Sequence, residues 1–216
     1  MLYAASSTRP DINHAVNVAA RSMTAPTHAN MTATRHILKY ISCTLNHHLV
    51  YNCGDVSECE VTAYCDADWG GDKEERKSTT GYCTFINNNL ITWRTRKQQT
   101  VAQSTAEAEF MAIADAVNEV QWLSQLVSEI GVTVKLPMII YCDNQSAIQA
   151  MVNDGKHSRM KHVDIQVMMM KEKVRDGTVR VEWVRTENQL ADVFTKALPT
   201  PAFTYLVSKL MTEEQL

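Results

Sequence analysis

The run "LPMIIYCD" (136–143) is short and almost wholly apolar. A strand buried on both faces reads this way, and parallel strands covered by helices are the usual case. The segment before it reads as a long amphipathic helix over 104–130, with Phe110, Ile113, Val117, Val120, Leu123 and Val127 on one stripe. Ser104 or Thr105 can cap its start, and Gly131 can end it. A helix that delivers the chain into a buried strand implies an earlier strand lying parallel beside it. That strand is legible in "CEVTAYCD" (59–66), where Val61, Ala63 and Cys65 alternate with Thr62, Tyr64 and Asp66. "TTGYCTFI" (79–86) and "NLITWRT" (89–95) read as two more strands. "NNN" (87–89) joins them as a hairpin turn, since Asn tolerates the left-handed conformation.

The remaining segments complete the pattern. "NQSAIQAMVND" starts a helix directly after the buried strand, and another helix is expected over 159–175 from the spacing of Val163, Val167, Met170 and Val174. "TVRVEWV" (178–184) alternates as a strand, and "NQLADVFTKAL" (188–198) predicts a core helix. Two helices, in "RPDINHAVNVAARSM" and "HANMTATRHILKYISCT", precede the sheet, the second with Met31, Ile37 or Leu38, and Ile41 on one face. The order βββ-α-β-α-α-β-α predicts an α/β fold with a mixed five-stranded sheet flanked by helices and preceded by two helices. The expected divisions are 1–57 for the leading helices, 58–200 for the sheet domain and 201–216 for a tail helix.

The tripeptide "YCD" closes both inner strands, at 64–66 and at 141–143. Side-by-side parallel strands that stop together would bring Asp66 and Asp143 out at the carboxyl edge, where open α/β sheets place ligands. Two carboxylates at that spacing repel each other unless a cation lies between them. Hard oxygen donors without a Cys or His triad favour Mg2+, with Mn2+ as the alternative. Glu109 stands in the first turns of the long helix, and Asp192 lies between the inward-facing Leu190 and Val193. Four such acids describe a two-metal phosphodiester site, with one ion to activate water and one to stabilise the leaving oxygen. Glu107 competes with Glu109 for the ligand role, and Asp68 reads either as an extra ligand or as a turn residue before "WGG".

These stretches resemble the ribonuclease H domain of copia-type retrotransposon polyproteins. The resemblance runs through "AYCDADWGGDKEERKSTTGY", "ITWRTRKQQTVAQSTAEAEFMAI", "IYCDNQSAI", "HSRMKHVDI" and "VRTENQLADVFTKALP". Residues 1–50, with "TRPDINHAVNVAARSM" and "HILKYI", resemble the end of the preceding reverse transcriptase. The resemblance places the metal-binding acids on Asp66, Glu109, Asp143 and Asp192 and favours Glu109 over Glu107. It implies two Mg2+ ions and cleavage of the RNA strand of an RNA–DNA hybrid, leaving a 3′-hydroxyl and a 5′-phosphate. It also implies the reverse transcriptase body of the same polyprotein as a partner. The expected location is cytoplasmic, in a virus-like particle where the element is active, or nuclear. Two departures stand out: no Tyr-x-Asp-Asp polymerase signature is present, and the loop "VRTENQ" lacks the histidine that cellular ribonucleases H carry there.

Composition narrows the other readings. The net charge of −3 and pI near 6.2 argue against a generic nucleic-acid binder, so substrate contacts must be local. "RTRK" supplies Arg94, Arg96 and Lys97, and "HSRMKH" supplies His157, Arg159, Lys161 and His162, each cluster reading as phosphate contacts or as a solvated turn. Asn144 and Gln145 read as hybrid contacts or, for Asn144, as a helix cap. The six cysteines form no C-x-x-C pair and read as small buried hydrophobes in a reducing compartment. The four tryptophans read as core and Met168, Met169 and Met170 as helix filler. No apolar stretch is long enough to span a membrane, and the start shows no secretion leader. The rival functions are a catalytically idle nucleic-acid-binding relic and a nuclease of the same fold acting on DNA.

Overall fold

The computed structural model of the chain describes residues 1–52, 57–152 and 164–213. Helices α1 (Leu2–Ser7), α2 (Asn13–Ala20) and α3 (His28–Cys43) lead into the short strand β1 (His47–His48). Strands β2 (Glu58–Asp68), β3 (Thr79–Ile86) and β4 (Asn89–Lys97) follow, then helix α4 (Thr105–Glu129) and strand β5 (Thr133–Cys142). Helices α5 (Gln145–Val152) and α6 (Asp164–Arg175), strand β6 (Val179–Trp183), helix α7 (Thr200–Leu210) and strand β7 (Thr212–Glu213) complete the chain. The predicted start of α6 and the cluster His157, Arg159, Lys161 and His162 lie outside the described residues.

The five-stranded sheet has the order β4-β3-β2-β5-β6. The first three strands form the antiparallel meander, and β5 and β6 add in parallel on the other side of β2. The hairpin between β3 and β4 turns on Asn87 and Asn88, with φ of 48° and 63° as a primed two-residue turn requires. Ser104 caps α4, accepting from the Glu107 amide at 3.2 Å, and Gly131 follows its end with φ of 87°. The stripe of α4 is buried against one sheet face with Val61, Ala63 and Cys65 of β2. The opposite face carries Cys83, Phe85 and Leu90 against Leu190, Val193, Phe194 and α7.

Several expectations are corrected. No core helix forms over 188–198; the chain instead makes two 3-10 turns, Thr186–Asn188 and Leu190–Phe194. Gln189 between them is extended, and its buried amide donates to Cys65 O at 3.0 Å and accepts from the Ala191 amide at 3.2 Å. That anchor holds the segment too close to the sheet for a full helix. The tail helix ends at Leu210, and the chain then pairs antiparallel with β1, His47 opposite Glu213. Trp69, Trp122 and Trp183 are about half exposed rather than core. An indole N–H needs an acceptor, and Trp69 and Trp183 find backbone carbonyls at the sheet rim, those of Ala102 and Asp143. Met168 and Met169 are exposed, and Met170 alone of the three is buried. Four of the cysteines are buried free thiols as expected, Cys59, Cys65, Cys83 and Cys142, whereas Cys43 at the end of α3 is exposed, and Cys53 lies outside the described residues.

The leading helices have a small core of their own, Ala5, Ile12, Val16 and Ile37. They also dock on the meander. Trp93 Nε1 donates to Ala5 O at 2.7 Å, Asn17 Nδ2 donates to Thr95 O at 3.1 Å, and Arg21 reaches Thr79 Oγ1 at 3.3 Å. Among the described residues no helix is long and apolar enough to cross a membrane.

Candidate active site

Asp66 is not the last residue of its strand. It sits inside β2 opposite Gly81 of β3, and β2 runs on to Asp68. The parallel register pairs Tyr64 with Tyr141, so one step further places Cys65 beside Cys142, and the next places Asp66 beside Asp143. Asp143 does lie just past the end of β5. The repeated tripeptide therefore marks matched register rather than two matched ends.

Gly81 makes the next contact possible. A Cβ there would lie 2.7 Å from Phe194 Cβ and 2.7 Å from Thr195 Cγ2. Without one, the turn Leu190–Phe194 presses directly onto β3 and hands Asp192, Thr195 and Lys196 to Asp66. Thr95 Oγ1 fixes the same turn by donating to Phe194 O at 2.7 Å. Thr195 Oγ1 donates to Asp66 Oδ2. Lys196 Nζ lies 3.4 Å from Asp66 Oδ2 and 2.8 Å from Asp192 Oδ1.

Glu109 reaches the cluster from the other face. Its carboxyl, Cys142 Sγ and Asp143 each place an atom within 4.8 Å of one another. Thr186 Oγ1 donates to Asp143 Oδ2 at 2.8 Å, so the loop that lacks a histidine contributes a hydroxyl instead. The acids thus stand as two adjoining halves: Glu109 with Asp143, and Asp66 with Asp192. Burial, then the charges of Asp66, Cys142 and Asp143, push Glu109 up to about 10, with Lys196 opposing. Burial and the nearby Asp66 push Asp192 up to about 7, again against Lys196. Burial works against the charge of Lys196, but Asp66 and Asp192 outweigh it and hold its pKa above the ordinary value.

The donor set fits a divalent metal. Asp66, Glu109 and Asp192 are all at least nine-tenths buried, which is costly for carboxylates unless a cation compensates. Asp192 Oδ1 is buried, and the partner it has among the described residues is the Lys196 ammonium at 2.8 Å, itself a cation. The carboxylate oxygens suit a hard ion, whereas the thiol of Cys142 does not.

The neighbours resolve the remaining alternatives. Glu107 is turned away, accepting from the Gln103 amide at 2.7 Å in a cap of α4. Asp68 ends β2 and folds back over Gly71, where a Cβ would sit 2.0 Å from its Oδ2. Burial raises its pKa and Asp66 adds to the rise, so Asp68 borders the cluster while serving the turn. Asn144 Oδ1 accepts from the Ala147 amide at 3.1 Å and caps α5, and Gln145 is exposed beside it. Arg94, Arg96 and Lys97 stand on the edge strand β4 and are not brought to the acids. Arg96 bonds Asp115 at 2.7 Å, Lys97 bonds Asp72 at 2.9 Å and Glu75 at 2.6 Å, and Arg94 lies against Tyr82. The sequence reading missed Thr186, Thr195 and Lys196. Only Lys196 left a signal, its spacing of four from Asp192.

Over 203 residues the chain is 39% identical to the Retrovirus-related Pol polyprotein from transposon RE1 of Arabidopsis thaliana, covering 94% of this chain. It is 36% identical over 203 residues to the corresponding polyprotein from transposon TNT 1-94 of Nicotiana tabacum. This chain belongs to the copia-type Pol polyproteins. It spans 14% and 15% of the length of those two relatives. No protein-family model matches it. Among solved structures, a ribonuclease H1 isolated from compost aligns with a TM-score of 0.45 and 12% identity, covering 68% of this chain and 96% of that one. Behind its leading helices the copia-type chain folds into a mixed five-stranded sheet flanked by helices.

Proposed function

We propose that the domain is a metal-dependent endonuclease that hydrolyses the RNA strand of RNA–DNA hybrids within a Pol polyprotein. The observation that carries this reading is the meeting of Asp66, Glu109, Asp143 and Asp192 from four separate elements, three of them buried and Glu109 without a cation in contact among the described residues. Asp66 and Asp192 would hold one side of a pair of Mg2+ or Mn2+ ions, and Glu109 and Asp143 the other. Bound there, the ions supply water activation and charge stabilisation at the leaving oxygen. The protein's own part is orientation. Thr186 fixes the rotamer of Asp143, Thr195 that of Asp66, and Gln189 holds the turn that bears Asp192 against β2. Asn144 and Gln145 at the start of α5 are the side chains nearest Asp143 along the chain that could meet the hybrid's 2′-hydroxyls. The leading helices are read as the end of the reverse transcriptase, whose body would be their partner.

Labelled RNA–DNA hybrid, duplex DNA and duplex RNA, each incubated with Mg2+ and with chelator, test the reading. Metal-dependent loss of the hybrid's RNA strand alone, absent in Asp143→Asn, is the expected result. A folded protein that binds hybrid without cutting it makes the domain a binding relic, and cutting of duplex DNA makes it a DNA nuclease.

A further inference from the structure

Lys196 stands where a metal ligand set should be open. Its ammonium touches Asp192 Oδ1 at 2.8 Å and Asp66 Oδ2 at 3.4 Å, so it lies between the two carboxylates of one half of the site. The other half, Glu109 and Asp143, has no such partner among the described residues. An ammonium and a divalent cation cannot share the space between the same two carboxylates, because their repulsion at that range is large in a partly buried site. Binding of an ion therefore requires Lys196 to move.

The structure also provides somewhere to go. Lys196 lines a cavity of about 230 Å³ between the leading helices and the segment after the second 3-10 turn. Asp11, His14, His36 and Tyr40 line the same cavity from α2, α3 and the turn before them. The Tyr40 hydroxyl donates to Asp11 and keeps lone pairs that can accept from an incoming ammonium, and the Lys196 side chain is about one-third exposed.

We propose that Lys196 is a resident counter-ion of the metal-free site, neutralising Asp66 and Asp192 until a divalent ion displaces it toward the cavity at the leading helices. This rests on the reading of the four acids as a metal site. The consequence is a site that keeps its carboxylates in place without metal and gives up some metal affinity in exchange. It also ties metal occupancy to the contact between the leading helices and the domain, since the displaced side chain enters that contact.

Calorimetric titration of Mn2+ into the full chain, without nucleic acid, tests this. Lys196→Met is expected to bind Mn2+ about tenfold tighter than the wild type, with Lys196→Arg nearer the wild type. Equal or weaker binding by Lys196→Met overturns the counter-ion role while leaving the metal site standing. If neither wild type nor Lys196→Met binds Mn2+, both readings fall together. If Lys196→Met is unfolded without metal, recovery of its far-UV circular dichroism at Mn2+ concentrations below the wild-type Kd supports the proposal. Failure to recover there overturns it.

Discussion

Two carboxylates of this protein, Asp11 and Glu109, are almost equally buried, at 5% and 6% exposure, and their surroundings are opposite. Asp11 accepts from Arg9 Nε at 3.0 Å, from the second guanidinium nitrogen at 2.7 Å and from the Tyr40 hydroxyl at 2.9 Å. Its partner Arg9 also donates to Thr44 O at 3.1 Å, so the ion pair knits α3 to the turn before α2. Glu109 has a thiol at 4.0 Å and other acids around it. A carboxylate buried for stability is surrounded by donors, whereas one buried among other carboxylates costs stability and implies a cation supplied from outside. The first belongs to the framework, and the second is a ligand in the metal site proposed above.

The largest expected effect tests the second half of that contrast. Glu109→Gln or Asp143→Asn should lower hybrid cleavage about a thousandfold or more, since each removes a charge that would hold the ions of the proposed site. Circular dichroism should show both variants folded. Cleavage within tenfold of the wild type in either variant would remove that residue from the site. Asp11→Asn should do the reverse. Loss of one partner of a buried ion pair should destabilise the chain by about 3 kcal/mol, read from urea unfolding. Mn2+ affinity measured on the folded fraction should be unchanged.

The contrast also sets the sign of the pH dependence. In the metal-free protein Glu109 holds its proton up to about 10 and Asp192 up to about 7, while both lose theirs near 4 in the unfolded chain. Between those limits the native state binds more protons than the unfolded state, so stability falls as pH rises. Lys196 stays charged throughout and adds no slope over this range. Thermal unfolding in chelator should therefore give a lower Tm at pH 8 than at pH 5. Saturating Mg2+ should flatten the slope, and Glu109→Gln should remove the part due to Glu109. A metal-free Tm that rises from pH 5 to pH 8 would contradict the protonated Glu109.

The contrast between Asp11 and Glu109 is only half visible in the sequence. The alternation at 59–66, the apolar run at 136–143 and the stripe of α4 give the parallel pairing of the two inner strands and put Asp66, Asp143 and Glu109 at one edge, because periodicity reports which face is buried. The helix predicted over 188–198 fails because its cause is long-range. Gln189 bonds the carbonyl of Cys65, 124 positions away, and Gly81 admits the turn from the facing strand. Neither contact leaves a local pattern. The same holds for Arg94, Arg96 and Lys97, whose charge is legible but whose partners Asp115, Asp72, Glu75 and Tyr82 are not. Asp11 reads from sequence as a first-turn acid, and only the fold reveals Arg9 and Tyr40 closing over it.

The smallest effect belongs to Thr186, which lies between the two classes of carboxylate. Asp143 is less buried than Glu109, and among the described residues the Thr186 hydroxyl donates to its side chain at 2.8 Å. That bond is exposed, so its loss should change stability by no more than about 0.5 kcal/mol. Orientation of a metal-holding carboxylate is a different matter, and a lost supporting hydrogen bond there costs about tenfold in metal affinity or activity. Thr186→Val keeps the shape and removes the hydroxyl. It should leave Tm nearly unchanged in chelator and lower both Mn2+ affinity and hybrid cleavage about tenfold, with Thr186→Ser restoring both. Wild-type cleavage in Thr186→Val would mean that Asp143 is held by the backbone of its own loop, where Trp183 Nε1 bonds Asp143 O at 3.1 Å. Asp143 would then resemble Asp11, a carboxylate fixed by the framework.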